Sequence, residues 1–329
     1  MLAALAHAIE DVLVPLVPVD RPVALLDFPQ VPNVGDSVIW LGARAFLARR
    51  GIRPCYTCSH RSYSPAGLAR RIGDGTILLS GGGNFGDLYP PHQELREAVV
   101  GEFPRNRIIQ LPQTMHFESH EALERARRVF DRHSDVKLLL RDAPSLALAR
   151  ERFQARSFLC PDMAFALGPQ PRPIAPSHPV VWLARTDKEA PATPRVDPPP
   201  GVLRVDWLRD DDTGMLKSNE WLGRLLRRMP GLHGLLQKPL SWTYGPLARE
   251  RMDRGGRILS AGRVVVTNRL HAHILCLLLG IPHVVLDNSY GKVRGFHEAW
   301  THASPLVEWS ESETDALERA LARAGAAGG

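Results

Sequence analysis

The sequence has little cysteine and no long apolar run, and each shortage removes a class of protein. Of its 329 residues four are cysteines, and only Cys55 and Cys58 stand at a spacing used for metal ligands. A structural zinc site normally needs a second pair of ligands at similar spacing, and these cysteines form no disulfide framework. No apolar run approaches the ~18 residues that cross a bilayer. The chain is therefore predicted to lack structural zinc, a disulfide framework and a membrane-spanning helix.

Blocks of like charge are also missing. The formal charge of +6 comes largely from scattered arginines. Aromatic residues are not interleaved with basic ones as they are in proteins that bind single strands, so nucleic acid is not an expected partner. The apolar N-terminus, residues 1–22, contains Glu10 and Asp11 and lacks a positive segment before them. It predicts an amphipathic helix and no signal peptide, and hence a cytoplasmic protein.

What the chain does contain is a regular alternation of short apolar strands with helices. In the first half the predicted strands include Val23–Phe28, Thr76–Ser80, Arg107–Leu111 and Val136–Leu140. Such an alternation indicates an α/β fold with a doubly wound parallel sheet, and polar residues recur where its strands end.

The chain length predicts two domains of about 150 residues each. A proline-rich stretch, residues 168–179, interrupts the alternation, which then restarts. We therefore predict an N-terminal Rossmann-like domain at residues 1–170 and a C-terminal Rossmann-like domain at residues 171–329. The segment from Pro230 to Tyr244 matches neither a helix nor a strand, and it predicts a mobile loop over the cleft.

The stretch from Val264 to Gly291 predicts a strand, a helix and a second strand. Arg269 and His271 fall where the first strand ends and the helix begins, which is where helix amides and the helix dipole favour an anion. The alternative is that Arg269 forms a salt bridge with a neighbour and His271 caps a turn. His273 would face elsewhere on the helix, so the two histidines do not predict a metal site.

Two motifs in the first half also fall at the carboxyl ends of predicted strands. Asn33, Gly35 and Asp36 stand at the entrance to a helix, where Asp36 or Ser37 could instead be a simple N-cap. Three glycines, Gly81–Gly83, follow a strand directly and would let a ligand approach backbone amides. The glycine pattern is neither the dinucleotide fingerprint nor a Walker loop, so it does not imply a nucleotide.

With these motifs in order, the chain resembles the polysaccharide pyruvyl transferase family. The resemblance rests on the order and spacing of six segments, and its sharpest part is the TNRLH motif followed by LGIP and YGK. The matching segments are NVGD (33–36), ILLSGGGNFGD (77–87), LPQT (111–114), RD (141–142), PDMAF (161–165) and the long stretch 264–292.

The resemblance implies a fold similar to the GT-B glycosyltransferases, with two Rossmann-like domains facing each other across a cleft. The donor would be phosphoenolpyruvate, a co-substrate rather than a cofactor. The acceptor would be a sugar of a surface glycan such as an exopolysaccharide, carried on a lipid, which would bring the enzyme to the inner face of the membrane. In the family the arginine and histidine of the RLH motif hold the donor, which corresponds to Arg269 and His271 here. A further family arginine maps onto Arg185.

The chemistry of a ketal-forming transfer fits these residues. Phosphoenolpyruvate carries a phosphate and a carboxylate, and Arg185, Arg269 and Lys292 are the predicted cations for them. His271 is the predicted general acid or a phosphate ligand, and Asp36 is the predicted base. The remaining predicted substrate-binding residues are Asn33, Gly81, Gly82, Gly83 and Asn84.

Two other hypotheses compete with pyruvyl transfer. One is a nucleotide-sugar glycosyltransferase of the same architecture. The other is a non-catalytic family member that serves as a binding subunit in a polysaccharide assembly complex. No metal is required by the leading hypothesis, and the oligomeric state is open.

Overall fold

Two parallel β-sheets organise the chain in a computed structural model, which describes residues 1–185, 197–288 and 291–326. The first sheet has seven strands and the second has five, and every strand pair in both is parallel. Helices form most of the connections between successive strands, since parallel pairing requires a crossover.

The first sheet has the order β2-β1-β3-β5-β6-β7, and β4 pairs with β5. From β1 the chain goes to β2 on one side and then crosses to β3 on the other. The carboxyl ends of β1 and β3 therefore flank a topological switch point, the place where open α/β sheets bind ligands. The strands are β1 (Val23–Leu26), β2 (Tyr56–Cys58), β3 (Thr76–Leu79), β4 (Gly82–Gly86), β5 (Arg107–His116), β6 (Val136–Leu140) and β7 (Arg156–Leu159).

Four of the six α-helices of the first half begin at a side chain that accepts a hydrogen bond from a first-turn amide. Ser64 caps one helix, Ser119 caps another, and Asp142 caps a third that starts directly after β6. Such caps satisfy backbone donors that have no partner inside the helix. The helices are α1 (Leu2–Leu13), α2 (Val34–Arg49), α3 (Pro65–Ile72), α4 (Pro90–Glu102), α5 (His120–Phe130) and α6 (Ala143–Arg152), with short 3-10 turns at His60–Ser62 and Met163–Leu167.

The second sheet has the order β12-β11-β10-β8-β9, so its switch point lies between β8 and β10. Its strands are β8 (His178–Leu183), β9 (Val202–Val205), β10 (Gly262–Thr267), β11 (His283–Val285) and β12 (Val307–Trp309). Its helices are α7 (Gly214–Arg228), α8 (His233–Ser260), α9 (Leu270–Leu279), α10 (Lys292–Trp300) and α11 (Glu313–Ala326), with a 3-10 turn at Pro230–Leu232.

A single apolar core joins the two halves. Helix α2 of the first half packs against α8 and α9 of the second, and the largest core cluster contains residues of both sheets. Two smaller clusters lie on the outer faces, where α11 covers the second sheet. The two parallel sheets confirm the predicted α/β class, with two Rossmann-like units in a GT-B-like arrangement. The predicted boundary between residues 170 and 171 stays a prediction.

The prediction for Pro230 to Tyr244 was wrong. Most of this segment forms the first half of α8, a 28-residue helix that contains Pro239 and Pro246. A proline cannot donate to the carbonyl four residues earlier, and here those residues are Leu235 and Trp242. Both residues lie at the protein surface, 73% and 65% exposed. The prolines obscured the helical pattern of this segment in the sequence.

Two strands differ from the sequence-based bounds. The strand predicted at Arg107–Leu111 continues through Pro112, Gln113 and Thr114 to His116. The glycine segment is itself a short strand, β4, which pairs with the extended part of β5. Gln113 of β5 also bonds to β4 through its side chain, because its side-chain oxygen accepts a hydrogen bond from the backbone N–H of Asn84 at 3.2 Å.

Across the described residues, no helix is both long and apolar enough to cross a bilayer. Ser289 and Tyr290, which belong to the motif stretch 264–292, lie outside the described ranges.

Candidate active site

The start of α9 lies at the switch point of the second sheet. β10 ends at Thr267, and the helix begins at Leu270. The Thr267 hydroxyl accepts a hydrogen bond from the backbone N–H of Arg269 at 3.1 Å. Asn268 links this edge to the end of β8, because its side-chain oxygen accepts a hydrogen bond from the backbone N–H of Arg185 at 3.1 Å. The two predicted donor-binding arginines therefore stand at one sheet edge.

Arg269 is almost fully buried and has a carboxylate partner. Its Nη2 donates to Asp206 Oδ2 at 2.8 Å, and Asp206 directly follows β9. The alternative of a salt bridge is thus present in the structure. Because Arg269 also lines the central cavity, the ion pair orients a guanidinium at the cavity wall.

That cavity, of about 210 Å³, lies between the two halves and collects the predicted residues. All of the predicted site residues line it except Gly81 and Gly82, of which Gly81 packs against the Pro112 carbonyl and Gly82 lies beside Asp36. The predicted residues in its wall are Asn33, Asp36, Gly83, Asn84, Arg185, Arg269, His271 and Lys292.

Behind the cavity wall, His271 contacts a fully buried ion pair from the other half. Arg141 follows β6 and its Nη1 donates to Asp162 Oδ2 at 2.5 Å. His271 Nε2 lies 3.3 Å from Arg141 Nη1 and 3.4 Å from Asp162 Oδ2. This nitrogen can accept from the arginine when neutral and donate to the carboxylate when protonated. It therefore has a partner in either protonation state, as a proton-transferring group requires.

The electrostatics of the pair favour an ionised carboxylate. Burial by itself would raise the pKa of Asp162, but the hydrogen bond from His271 and the charge of Arg141 outweigh burial. The pKa of Asp162 is held well below its usual range. Asp162 thus stays negative and holds the Arg141 guanidinium and the His271 ring in place.

One guanidinium nitrogen of Arg141 remains for a ligand. Arg141 Nη2 is buried and has no hydrogen-bond partner among the described residues. A Cβ atom built on Gly83 would lie 3.1 Å from this Nη2 and 3.4 Å from Lys292 Nζ. The missing side chain of Gly83 therefore leaves a space beside two cationic donors, which suits a phosphate or carboxylate oxygen.

Gly35 of the NVGD motif has a steric role at His271. A Cβ atom built on Gly35 would lie 2.4 Å from His271 Nδ1, closer than a side chain can approach. The helix cap in this motif is Asn33, whose side-chain oxygen accepts the Gly35 amide at 3.1 Å. The alternative of Asp36 or Ser37 as the N-cap was wrong. Asp36 instead lies in the first turn of α2 and accepts a hydrogen bond from the Asn33 side chain at 3.0 Å.

Asn84 is engaged by a buried polar network, which limits what it can offer a ligand. Its side-chain oxygen accepts from Arg96 Nη2 and Gln113 Nε2, each at 2.8 Å. The hydrogen-bond partners of Arg96 are side-chain amides and backbone carbonyls, and burial lowers the pKa of Arg96 to about 10. The network places a buried positive charge next to the glycine segment.

Sequence reasoning missed a second histidine in the cavity wall. His92 Nδ1 lies 2.8 and 2.9 Å from the two oxygens of Asp27, the residue after β1, whose backbone φ is +68°. Burial would lower the pKa of His92, but the charge and hydrogen bonds of Asp27 raise it overall. The His60 ring packs edge-on against the His92 ring, with the ring centroids 4.8 Å apart, and burial lowers the pKa of His60 to about 4. The ligand atoms of these three residues lie within 4.8 Å of one another, but the short Asp27–His92 contact is that of a hydrogen-bonded pair.

Only their position after a strand could have indicated from the sequence that these residues belong to the site. Asp27, Arg141 and Asp162 each follow a strand of the first sheet, and the carboxyl ends of parallel strands share one edge. The RD and PDMAF motifs contain two of them, but no role could be read from the motifs alone.

Comparison with known proteins identifies the family of this chain. The sequence model described as "Polysaccharide pyruvyl transferase" matches residues 33–290, from the NVGD motif to the YGK motif. The chain belongs to the polysaccharide pyruvyl transferase family. The matched range includes every cavity-wall residue named above except Lys292.

Two relatives extend this finding over most of the chain. "Pyruvyl transferase 1" of Schizosaccharomyces pombe is 34% identical over 313 residues, which cover 92% of this chain and 75% of the relative. EpsO of Bacillus subtilis, named as a candidate pyruvyl transferase, is 30% identical over 302 residues, 89% of each chain.

A solved structure supports the fold alone. The crystal structure of a Klebsiella pneumoniae protein of uncharacterised function, KP1_0663, matches with a TM-score of 0.57 at 17% identity, covering 92% of this chain and 97% of that one.

Proposed function

We propose that this family member transfers the pyruvyl group of phosphoenolpyruvate to two hydroxyls of a saccharide, forming a ketal and releasing phosphate. The observation that carries the proposal is the space above Gly83, which is flanked by the partnerless Arg141 Nη2 and by Lys292 Nζ. A small dianionic ligand with two anionic ends fits a cavity whose wall also contains Arg185 and Arg269.

His271 would act as the general acid. Transfer begins when the methylene carbon of the enol gains a proton, which leaves the central carbon electrophilic. The Nε2 of His271 has a hydrogen-bond partner in both of its protonation states, so it can give this proton up without leaving a buried group unsatisfied.

Asp36 would act as the base for the acceptor hydroxyl. It is the only carboxylate among the described residues that line the cavity. His92, by contrast, has a raised pKa and so keeps its proton over more of the neutral range. His92 is therefore suited to donate to an acceptor oxygen, while Asp36 accepts the proton.

The proposed steps balance. One hydroxyl oxygen bonds to the central carbon, and the carbon–oxygen bond to phosphate breaks with its electron pair leaving on phosphate. The second hydroxyl then closes the ketal. Two hydroxyl protons are released. One restores the proton that the general acid gave to the new methyl group, and the other leaves with phosphate.

Calorimetric titration with phosphoenolpyruvate tests the donor site. Replacing Lys292 by Met should weaken binding roughly tenfold to a hundredfold, the value of one charge-assisted hydrogen bond. The control is Lys217→Met, a surface lysine of α7, which should bind as the parent protein does. Equal affinity in both variants would remove Lys292 from the donor site.

The two competing hypotheses have their own outcomes. Thermal stabilisation by a nucleoside diphosphate sugar and not by phosphoenolpyruvate would favour a glycosyltransferase. Binding of neither donor, with stable binding to assembly proteins, would favour a non-catalytic subunit. Release of phosphate together with a pyruvyl mass gain on a lipid-linked oligosaccharide from the native pathway would support a surface-glycan acceptor.

A further inference from the structure

The hairpin of α7 and α8 exposes an unusual amount of large apolar surface. Among the described residues both exposed tryptophans lie here, Trp221 at 58% and Trp242 at 65%, together with Leu235 at 73% and Met229 at 47%. We call these four residues the hairpin patch. Exposed apolar residues that are scattered singly need no explanation, whereas a group on one element marks an interaction surface.

The two helices pack against each other, and part of the hairpin patch shares one face of α8. Asn219 of α7 donates to the hydroxyl of Thr243 of α8 at 2.7 Å, so the two helices lie side by side. Trp221 of α7 and Trp242 of α8 are both exposed beside this contact. On α8, Leu235, Lys238 and Trp242 follow at intervals of three and four residues, which is one face of a helix.

Positive charge surrounds the hairpin patch. Lys238 Nζ lies 5.6 Å from the centre of the Trp242 ring, and Arg224, Arg228 and Arg249 are exposed on the same two helices. Glu220 is also exposed there, 3.9 Å from Arg224. The balance of exposed charge on the hairpin beside the patch is therefore basic.

A groove continues from the patch and is also basic. Lys238 and Trp242 form part of its wall together with Arg44, Arg53 and Arg71, and its volume is about 820 Å³. No carboxylate lies among the described residues that line it. Burial lowers the pKa of Arg44, and the like charge of Arg249 lowers it further. Such a wall attracts anions and has no acidic partner of its own.

We propose that the hairpin patch and the adjoining groove dock this protein onto an anionic lipid surface. Tryptophan side chains suit the interface between lipid headgroups and acyl chains, and basic residues beside them add attraction to anionic lipid. Charge complementarity between anionic headgroups and a groove wall without a described carboxylate favours an anionic lipid surface as the occupant. The proposal goes beyond the transfer reaction, and its test does not depend on turnover.

The site and the docking surface are connected by α8. Near the carboxyl end of this helix, Arg251 donates to the Pro29 carbonyl at 2.9 Å and Arg254 donates to the Pro32 carbonyl. Pro32 lies in the wall of the central cavity. The helix thus spans from the hairpin patch to the catalytic cleft, an arrangement suited to an acceptor carried on a lipid.

Co-sedimentation with vesicles tests the proposal. The full chain should bind vesicles of phosphatidylcholine mixed with phosphatidylglycerol more tightly than vesicles of phosphatidylcholine alone, and salt should weaken the binding. Lys238→Glu and the double variant Leu235→Ser, Trp242→Ser should each lower affinity about tenfold or more.

Matched controls lie outside the hairpin. Val19 is 61% exposed and Arg128 is an exposed residue of α5, so Val19→Ser and Arg128→Glu should leave vesicle binding unchanged. An equal loss of vesicle binding in the control variants would overturn the proposal. So would a parent protein that binds neither kind of vesicle. A parent dimer that the hairpin variants convert to a monomer, without vesicle binding, would assign the patch to a second copy of the chain instead.

Discussion

His271 and His273 lie two residues apart on α9, yet the structure gives them opposite environments. His271 lines the central cavity and contacts the Arg141–Asp162 ion pair. His273 is fully buried on the other side of the helix, where its partners are His283 and Thr301. Two positions turn a helix by about 200°, so neighbouring histidines of one motif serve different purposes.

The chain of hydrogen bonds around His273 fixes one arrangement of protons. His283 Nδ1 donates to the Ile281 carbonyl at 2.8 Å, so its Nε2 must accept from His273 Nδ1 at 2.7 Å. His273 Nε2 then accepts from the Thr301 hydroxyl at 2.9 Å. With both histidines neutral, the state that burial favours, this arrangement satisfies every group in the chain. This chain ties α9 to β11 and to the end of α10, and it thereby holds both helices whose first turns carry site residues.

The largest expected effect separates the two histidines by turnover. His271→Gln should lower kcat about 10²- to 10⁴-fold, because the general acid is lost. Its unfolding free energy should change little, since the glutamine amide can still bond Arg141 or Asp162. Phosphate release measured with saturating phosphoenolpyruvate checks this. Turnover equal to that of the parent protein would remove His271 from the chemistry.

His273→Leu should give the opposite result. The leucine leaves His283 Nε2 and the Thr301 hydroxyl without their partner, which costs about 1–3 kcal/mol for each buried group. Urea unfolding should show this loss, while the folded enzyme keeps most of its turnover. Parent-like stability combined with lost activity would contradict the division of roles between the two histidines.

A smaller effect is expected from pH. Burial lowers the pKa of His273, and it lowers the pKa of His283 to about 4. In the unfolded chain histidine titrates near ~6.5, so the unfolded state binds more protons below that pH. The contribution of this neutral histidine pair to the free energy of unfolding is therefore fully present above about pH 6.5, and it is lost as pH falls towards about 4.

Urea unfolding at about pH 7.5 and about pH 5 measures this dependence. His60 contributes in the same direction, and His92, with its raised pKa, contributes in the opposite one. The control is His273→Leu, which should show a shallower loss than the parent. An equal loss in both proteins would place the dependence elsewhere.

The smallest effect is expected at the donor space. Gly83→Ala would put a methyl group 3.1 Å from Arg141 Nη2 and 3.4 Å from Lys292 Nζ. Because both neighbours are ends of long side chains, they can give way at a cost of about 1 kcal/mol. The KM for phosphoenolpyruvate should rise several-fold with kcat nearly unchanged. A variant with the parent KM would show that the ligand does not use this space.

The prediction from sequence succeeded where one local segment carries the signal. The start of α9 lies where the strand and helix pattern placed it, with Arg269 and His271 at the helix start. The strand Val136–Leu140 has the predicted bounds. The failure at Pro230–Tyr244 has a local cause too, since Pro239 interrupts the helical pattern of a segment that mostly belongs to α8.

The partners of the site residues lay beyond such reasoning. Arg141 and Asp162 contact His271 across 130 and 109 residues of chain, and Asp27 holds His92 across 65. Periodicity and spacing report on neighbours within a few residues, so they carry no information about contacts between sheet edges.

The sequence by itself determined the two α/β halves, the family and the cationic helix start, because apolar periodicity and ordered motifs are local and survive without coordinates. Only the tertiary structure decided which strand ends meet. Packing α2 against α9 brings Gly35 under His271 and sets His271 against a buried ion pair from the other half. That contact depends on how the two sheets share one core, which no local pattern encodes.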